Sequence, residues 1–161
     1  MGISVGKDDD DDKMRCRTLL LRMLCIVALS AYLWYVFDIT VFGRDEYSCY
    51  RYKVYPFWSY IAILQGKTSL IREDILNVLM FVPIGVLQTF VWRKPSWLKL
   101  FAFGVFLSVG IELMQLVGRR GTCEFDDIFH NTLGCLIGYF VARLLMAIFK
   151  TRYLKTLDDI K

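Results

Sequence analysis

Four long apolar stretches, separated by shorter polar connections, dominate the pattern of this chain. They cover about residues 19–37, 75–91, 98–117 and 128–149. A helix that crosses a lipid bilayer needs about 20 predominantly apolar residues, with a range of roughly 17–25. Each stretch therefore predicts one transmembrane helix. The predicted fold is an all-α, polytopic membrane protein with four transmembrane helices in a bundle.

The composition of the chain agrees with a membrane protein. Hydrophobic residues make up 56% of the 161 residues, and aromatic residues make up 16%. An ordinary soluble domain is roughly 45–50% apolar. The composition excludes a disordered chain, a collagen-like chain and a small disulfide-rich secreted protein. The length fits one domain, since a domain typically spans about 100–200 residues.

The first thirteen residues have the features of an expression leader. Five aspartates, Asp8 to Asp12, precede Lys13 and form an enteropeptidase-type recognition sequence. We interpret residues 1–13 as this leader and residues 14–161 as a single transmembrane domain, with a natural acidic tail as the alternative. Without the leader, 18 basic and 11 acidic residues remain, so the net charge changes from +4 to +7. The basic residues lie between apolar stretches, which indicates membrane topology and predicts no nucleic-acid partner.

The basic residues also predict the orientation of the helices. Short cytoplasmic connections of membrane proteins are enriched in lysine and arginine. Such residues lie at the start of the first stretch, around the connection between the second and third, and after the fourth: Arg15, Arg17, Arg22, Arg93, Lys94, Lys99, Lys150, Arg152 and Lys155. We therefore expect a multi-pass membrane protein with both termini in the cytoplasm. A cleaved signal peptide is the alternative for the first stretch, but its apolar run continues to Phe37, past any cleavage site.

The connection between the first two helices is rich in aromatic residues. Seven of them lie between Tyr47 and Tyr60, and Pro56 precedes a segment that predicts a short helix at the membrane interface. This segment is either an interfacial anchor or a binding surface for a lipid or a sugar-bearing ligand.

Polar residues inside the apolar stretches are the candidates for a functional site. From the helix rise of about 1.5 Å per residue, Glu112 and Asn131 lie roughly 7 Å, and Asn77 roughly 4–5 Å, from the outer ends of their helices. Gln115 lies on the same helix face as Glu112, and Asp127 lies on the same face as Asn131, because residues three or four apart share a helix face. Buried ionisable groups need partners, and we expect Arg119 or Arg120 to be the counter-ion. The residues form either a structural polar clasp or an outward-facing pocket.

Other residues give weaker signals. Pro83 and Gly85 interrupt the second helix, and Gly134 with Gly138 predict close packing in the fourth. His130, the single histidine, lies near Glu124 and Asp126, but it has no ligand-spacing motif, so we predict no metal and no cofactor. Cys49 and Cys123 either pair or remain free thiols.

Three segments, in their order along the chain, resemble motifs of the VanZ-like family. They read NVLMFVPIG at residues 77–85, IELMQ at residues 111–115 and RGTCEFDDIFHNTLG at residues 120–134, and Pro56-Phe57 lies upstream. The resemblance continues to Gly138 and covers over half of the chain. The family motifs fall on Asn77, Pro83, Gly85, Glu112, Gln115, Arg120, Asp127, Asn131 and Gly134. Glu124 departs from the pattern, because relatives commonly carry aspartate there.

The resemblance implies a bacterial integral membrane protein of the cell envelope, in a family whose founding member is associated with low-level resistance to the glycopeptide teicoplanin. Our leading hypothesis is an outward polar pocket that binds a membrane lipid or a lipid-linked cell-wall component and lowers glycopeptide susceptibility. The alternative is an intramembrane enzyme acting on a lipid-linked substrate, with Glu112 or Asp127 as general base and Arg120 holding a phosphate or carboxylate. The sequence does not determine the oligomeric state. The predicted ligand-binding residues are Asn77, Glu112, Gln115, Arg119, Arg120, Glu124, Asp126, Asp127, His130 and Asn131.

Overall fold

The computed structural model describes the backbone of residues 5–158, and the side chains of residue 13 and residues 15–149. The predicted leader, residues 1–13, falls partly outside this range, because residues 1–4 are not described.

Four long helices form the body of the protein. These are α1 (Val5–Phe37), α3 (Ser69–Val91), α4 (Trp97–Gly118) and α5 (Phe125–Asp158), and α1 continues into a π-helical turn at Asp38–Phe42. Each contains a segment long and apolar enough to cross a membrane. The four predicted transmembrane helices are therefore confirmed, and the chain is a multi-pass membrane protein. The predicted short helix in the first long connection is also present, as α2 (Trp58–Leu64).

The helices extend beyond the apolar stretches. α3 begins at Ser69 although its apolar stretch begins near Ile75, and it runs through Pro83 as one helix. α4 begins after Ser96, whose side chain accepts a hydrogen bond from the Lys99 N–H at 3.4 Å. Serine is favoured at this position because its hydroxyl oxygen satisfies a free N–H at the helix start.

Helix α5 packs closely against α3 and α4. A Cβ on Gly134 would lie 2.2 Å from the carbonyl oxygen of Val78, and one on Gly85 would lie 2.1 Å from that of Cys135. These two glycines let the backbones of α3 and α5 approach directly, as small residues do between membrane helices. Beside this contact lies a core that includes Phe81 and Ile111, both buried.

A pair of very short strands joins two connections at one end of the bundle. β1 (Tyr52–Lys53) pairs in parallel with β2 (Cys123–Glu124), with Tyr52 opposite Cys123. These strands were not predicted from the sequence, because a strand of two residues is too short to show the alternation of apolar and polar residues that is typical of strands. They attach the connection after α1 to the connection between α4 and α5. The end of the bundle that contains β1 and β2 also contains a cleft, and we call it the cleft end.

Candidate functional site

Polar side chains of α3, α4 and α5 meet near the cleft end of the bundle. Asn77 donates to Asp127 Oδ1 at 2.8 Å, which links α3 to α5. Asn131 donates to Ser108 Oγ at 2.9 Å, which links α5 to α4. The structure therefore brings polar residues of three helices into one layer.

The two polar residues of α4 bind the connections at the cleft end. Glu112 is 2% exposed, and its Oε2 accepts the Glu124 N–H at 2.8 Å. Gln115 is also buried and donates to the carbonyl oxygen of Thr40 at 3.1 Å. Both side chains thus hold neighbouring backbone in place, which is the behaviour expected of a structural clasp.

The expected counter-ions, Arg119 and Arg120, do not serve the buried carboxyl groups. Arg119 pairs with Glu46, and Arg120 donates to the carbonyl oxygen of Phe42 at 2.8 Å. The reason is that α4 ends at Gly118 and Arg119 takes a left-handed conformation (φ 54°), which turns the chain away from the helix. The expectation that Arg119 or Arg120 is the counter-ion of the buried acids was therefore wrong.

Arg44, from the connection after α1, provides the cation instead. It lies close enough to Glu112 and Asp127 for its charge to attract both carboxyl groups. Its Nη1 atom lies 2.8 Å from the position that a Cβ on Gly121 would occupy, and Gly121 has φ 119°. Glycine at position 121 therefore suits both the backbone conformation and the approach of Arg44.

Asp126 and His130 lie away from the polar layer formed by Asp127 and Asn131. The buried Asp126 carboxylate accepts the N–H of Phe57 at 2.6 Å, the N–H of Ser59 at 2.8 Å and the Ser59 hydroxyl at 2.9 Å. His130 Nε2 lies 2.9 Å from the hydroxyl oxygen of Tyr60. These two residues do not line the same recess as Asp127, because positions 126 and 130 share one face of α5 and positions 127 and 131 share another; their role in ligand binding stays a prediction.

A cleft of about 300 Å³ opens beside the polar layer. We call it the polar cleft. It is bounded by residues of the π-helical turn, the first connection, α3, β2 and α5, and four carboxyl groups and one arginine contribute to its lining. The charged and amide residues among the lining are Arg44, Glu73, Asp74, Asn77, Glu124 and Asp127. Of the predicted ligand-binding residues, Asn77, Glu124 and Asp127 line the cleft, and Glu112 lies next to Glu124.

Burial shifts the pKa values of two groups on β2. It raises the pKa of Glu124 above its usual value, although the neighbouring Lys53 ammonium, 3.3 Å from Glu124 Oε1, acts in the opposite direction. Burial, reinforced by the nearby Glu112 and Asp127 carboxyl groups, also raises the pKa of Cys123. Cys49 and Cys123 are both free thiols. Within the described part of the chain, no three His, Cys, Asp or Glu side chains are grouped so as to hold a metal ion.

Comparison with known proteins bears on the same region. A family model described as VanZ/LLP1 matches residues 18–147, which include all of α3, α4 and the polar cleft. The chain belongs to the VanZ/LLP1 family. Protein VanZ of Enterococcus faecium is 34% identical to this VanZ/LLP1 protein over 71 residues. That match covers 44% of each chain, so this chain matches less than half the length of its curated relative. No solved structure matches it significantly.

Arg44 and Thr40 of this VanZ/LLP1 protein could not be predicted as residues of the site, whereas Trp58 was among the aromatic residues predicted to form an interfacial anchor or a binding surface. Arg44 lies in a long connection with other charged residues, and Thr40 contributes its backbone carbonyl. Trp58 lines the polar cleft, and its ring lies 3.4 Å from Lys53 Nζ in a cation–π contact. All three come from the segment between α1 and α3, whose path depends on contacts with the distant connection between α4 and α5.

Proposed function

We propose that this VanZ/LLP1 protein lowers the susceptibility of the bacterial envelope to teicoplanin-type glycopeptides. In this proposal the polar cleft faces outward and binds a lipid-linked cell-wall component. Family membership and the similarity to Protein VanZ support the resistance role. The mixed charge of the cleft is the observation that supports the ligand class.

The chemistry of the polar cleft suits a zwitterionic ligand. Arg44 offers a guanidinium group, which pairs well with a carboxylate. Glu73, Asp74 and Asp127 offer carboxyl groups, which accept hydrogen bonds from an amine. A peptide attached to a membrane lipid carries both kinds of group. Binding such a peptide would reduce the access of a glycopeptide that uses the same target.

The contacts of the carboxyl groups favour binding over catalysis. Glu112 accepts a backbone N–H, Asp127 accepts the Asn77 amide, and Glu124 pairs with Lys53. A carboxylate that acts as a general base must direct a free oxygen lone pair at the proton that it takes from the substrate. Arg120, which the enzyme hypothesis assigned to a phosphate, bonds the carbonyl oxygen of Phe42 outside the polar cleft. We therefore do not propose the intramembrane enzyme.

Asp127→Asn and Glu112→Gln are expected to abolish the protection against teicoplanin. Both amides keep a carbonyl oxygen that can accept the hydrogen bond that the acid accepts, so the fold is retained while the carboxyl group is removed. The measurement is the minimal inhibitory concentration in a susceptible host that produces each variant at the parental level in the membrane.

Asp45→Asn is the control, because Asp45 is an exposed acid that follows Arg44 in the sequence but does not line the cleft. We expect it to protect like the parent protein. If Asp127→Asn, which changes the lining of the polar cleft, also protects fully, the polar cleft is not the source of resistance.

Thiol labelling tests the proposed orientation, in which both termini are cytoplasmic. Cys49, in the connection after α1, and Cys16, before the first apolar stretch, are both exposed. A membrane-impermeant maleimide added to intact cells is expected to label Cys49 and not Cys16, and to label both after the cells are opened. Labelling of Cys16 in intact cells would show that the orientation is the reverse of the proposed one.

Cys123 is expected to react more slowly than Cys49, because the pKa of Cys123 is raised and the thiolate is the reactive form.

A further inference from the structure

Another recess lies between the π-helical turn after α1 and the last turns of α4. We call it the α1–α4 groove; its volume is about 530 Å³. Its walls are apolar and include Phe42 on one side and Leu113, Met114 and Val117 on the other. Leu113 is 52% exposed and Val117 is 76% exposed, so the groove opens sideways. In a membrane-spanning bundle this opening faces the lipid.

Arg120 lies at the end of this groove, at the point where two membrane spans end. The apolar span of α1 and its π-helical turn ends at Phe42, and that of α4 ends at Gly118. Arg120 Nη1 donates to the Phe42 carbonyl oxygen at 2.8 Å, and the Arg120 backbone N–H donates to the Gln115 carbonyl oxygen at 2.9 Å. The stem of the side chain folds over the end of α4, since its Cγ and Cδ would lie 3.8 Å from a Cβ on Gly118. The guanidinium group is therefore held at the level where the hydrocarbon core gives way to the lipid headgroups.

The positive charge of Arg120 has no acidic partner among the described residues. A guanidinium group has five N–H donors and stays charged in proteins. Arg120 uses Nη1 for the Phe42 carbonyl oxygen, and its Nε and Nη2 have no partner in the described range and are not buried. The neighbouring Arg119 differs, because it pairs with Glu46. Arg120 thus offers a fixed cation with accessible donors to a ligand in the groove.

An anionic phospholipid complements this groove. Its phosphodiester offers oxygen acceptors to the guanidinium group, which pairs well with phosphate. The described lining contains no carboxyl group that would attract the ammonium group of a zwitterionic lipid, so its net positive charge favours a headgroup that is negative overall. The wall from Gly118 to Leu113 extends about 7.5 Å along α4, enough to contact the first carbons of an acyl chain.

We propose that the α1–α4 groove binds an anionic phospholipid, with the phosphate on the Arg120 guanidinium and an acyl chain along Leu113 and Val117. The lipid is bound and is not chemically changed. This site is separate from the proposed function, because the groove shares no lining residue with the polar cleft in the described part of the chain.

Native mass spectrometry of the full chain, released from nanodiscs, tests the site. The nanodiscs contain phosphatidylglycerol and phosphatidylethanolamine with identical acyl chains in equal amounts. The parent protein is expected to retain phosphatidylglycerol in preference to phosphatidylethanolamine. Arg120→Gln should lower this preference about fivefold, which corresponds to the loss of about 1 kcal/mol. Arg120→Lys keeps the positive charge and should retain most of the preference.

Arg119→Gln is the matched control for the loss of charge. It removes the same charge from the neighbouring residue, but Arg119 pairs with Glu46 and does not line the groove. We expect the lipid preference of this variant to stay close to that of the parent protein. An equal loss of preference in Arg119→Gln and Arg120→Gln would show that only the overall charge matters, and the proposal would then be wrong.

Val117→Trp tests the groove without changing Arg120, and it remains informative if Arg120→Gln does not fold. The larger side chain would occupy space along the apolar wall and should lower the retention of phosphatidylglycerol about fivefold. Leu144→Trp, at an exposed position of α5 outside the groove, should retain this lipid like the parent protein.

Three results would overturn the proposal. The first is a parent protein with no preference for phosphatidylglycerol. The second is an unchanged preference in folded Arg120→Gln or an unchanged retention in Val117→Trp. The third is a dimer of the parent protein that Val117→Trp dissociates, because the groove would then hold a second copy of the chain.

Discussion

Replacement of Gly134 by alanine is expected to lower the free energy of unfolding by about 3 kcal/mol, at the upper end of the usual cost of overpacking. The added Cβ would lie 2.2 Å from the carbonyl oxygen of Val78 and 2.8 Å from Cβ of Phe81. The first obstacle is backbone, which cannot rotate away, so α3 and α5 must separate. Thermal unfolding of the purified protein in detergent measures the loss.

Gly110→Ala is the matched control for this substitution. Gly110 also lies within a transmembrane helix, α4, but a Cβ there would have no neighbour within 4 Å. Alanine has a higher helix propensity than glycine, so we expect unchanged or slightly higher stability. Equal melting temperatures for Gly134→Ala and Gly110→Ala would contradict the close α3–α5 contact.

Asp126→Ala is expected to destabilise the attachment of α2 to α5 by about 3 kcal/mol, because hydrogen bonds to a charged group contribute about 1.5–3 kcal/mol and their loss leaves donors unpaired. The buried carboxylate accepts from two backbone N–H groups and one hydroxyl at the start of α2. With α2 released, trypsin should cleave after the exposed Lys67 faster than in the parent protein. The rate of this cleavage is the measurement.

Asp45→Ala serves as the comparison, since Asp45 is exposed in the same connection. It should leave the cleavage rate at Lys67 unchanged. If Asp126→Ala also leaves the rate unchanged, then Asp126 does not hold α2, and its place in a ligand-binding pocket should be reconsidered.

The transmembrane helices could be predicted because apolar length is a property of the sequence alone. The layer of Asn77, Glu112 and Asn131 followed from depth along each helix, which depends only on the rise per residue. Depth does not determine direction around the helix. Asp126 and Asp127 are adjacent and lie at nearly the same depth in α5. Because they point in different directions around the helix, Asp126 holds α2 whereas Asp127 lines the polar cleft.

The cation of the site could not be predicted from the sequence. Arg119 and Arg120 are closest in sequence to the polar face of α4, but the helix ends before them. Arg44 lines the polar cleft from a connection that distant contacts hold in place, among them the Tyr47 N–H to the Arg119 carbonyl oxygen and the pairing of β1 with β2. Such long-range pairing of two short segments has no local sequence signal.

The attachment of the first connection to the start of α5 also affects the order of biosynthesis. Ser59 is separated by 67 residues from Asp126, and Lys53 by 71 residues from Glu124. A ribosome adds about 5–20 residues per second, so α2 is synthesised several seconds before its partners. During that interval the aromatic connection lacks its acceptor and its strand partner. Completion of the cleft end is thus a late step that requires α5 to be inserted.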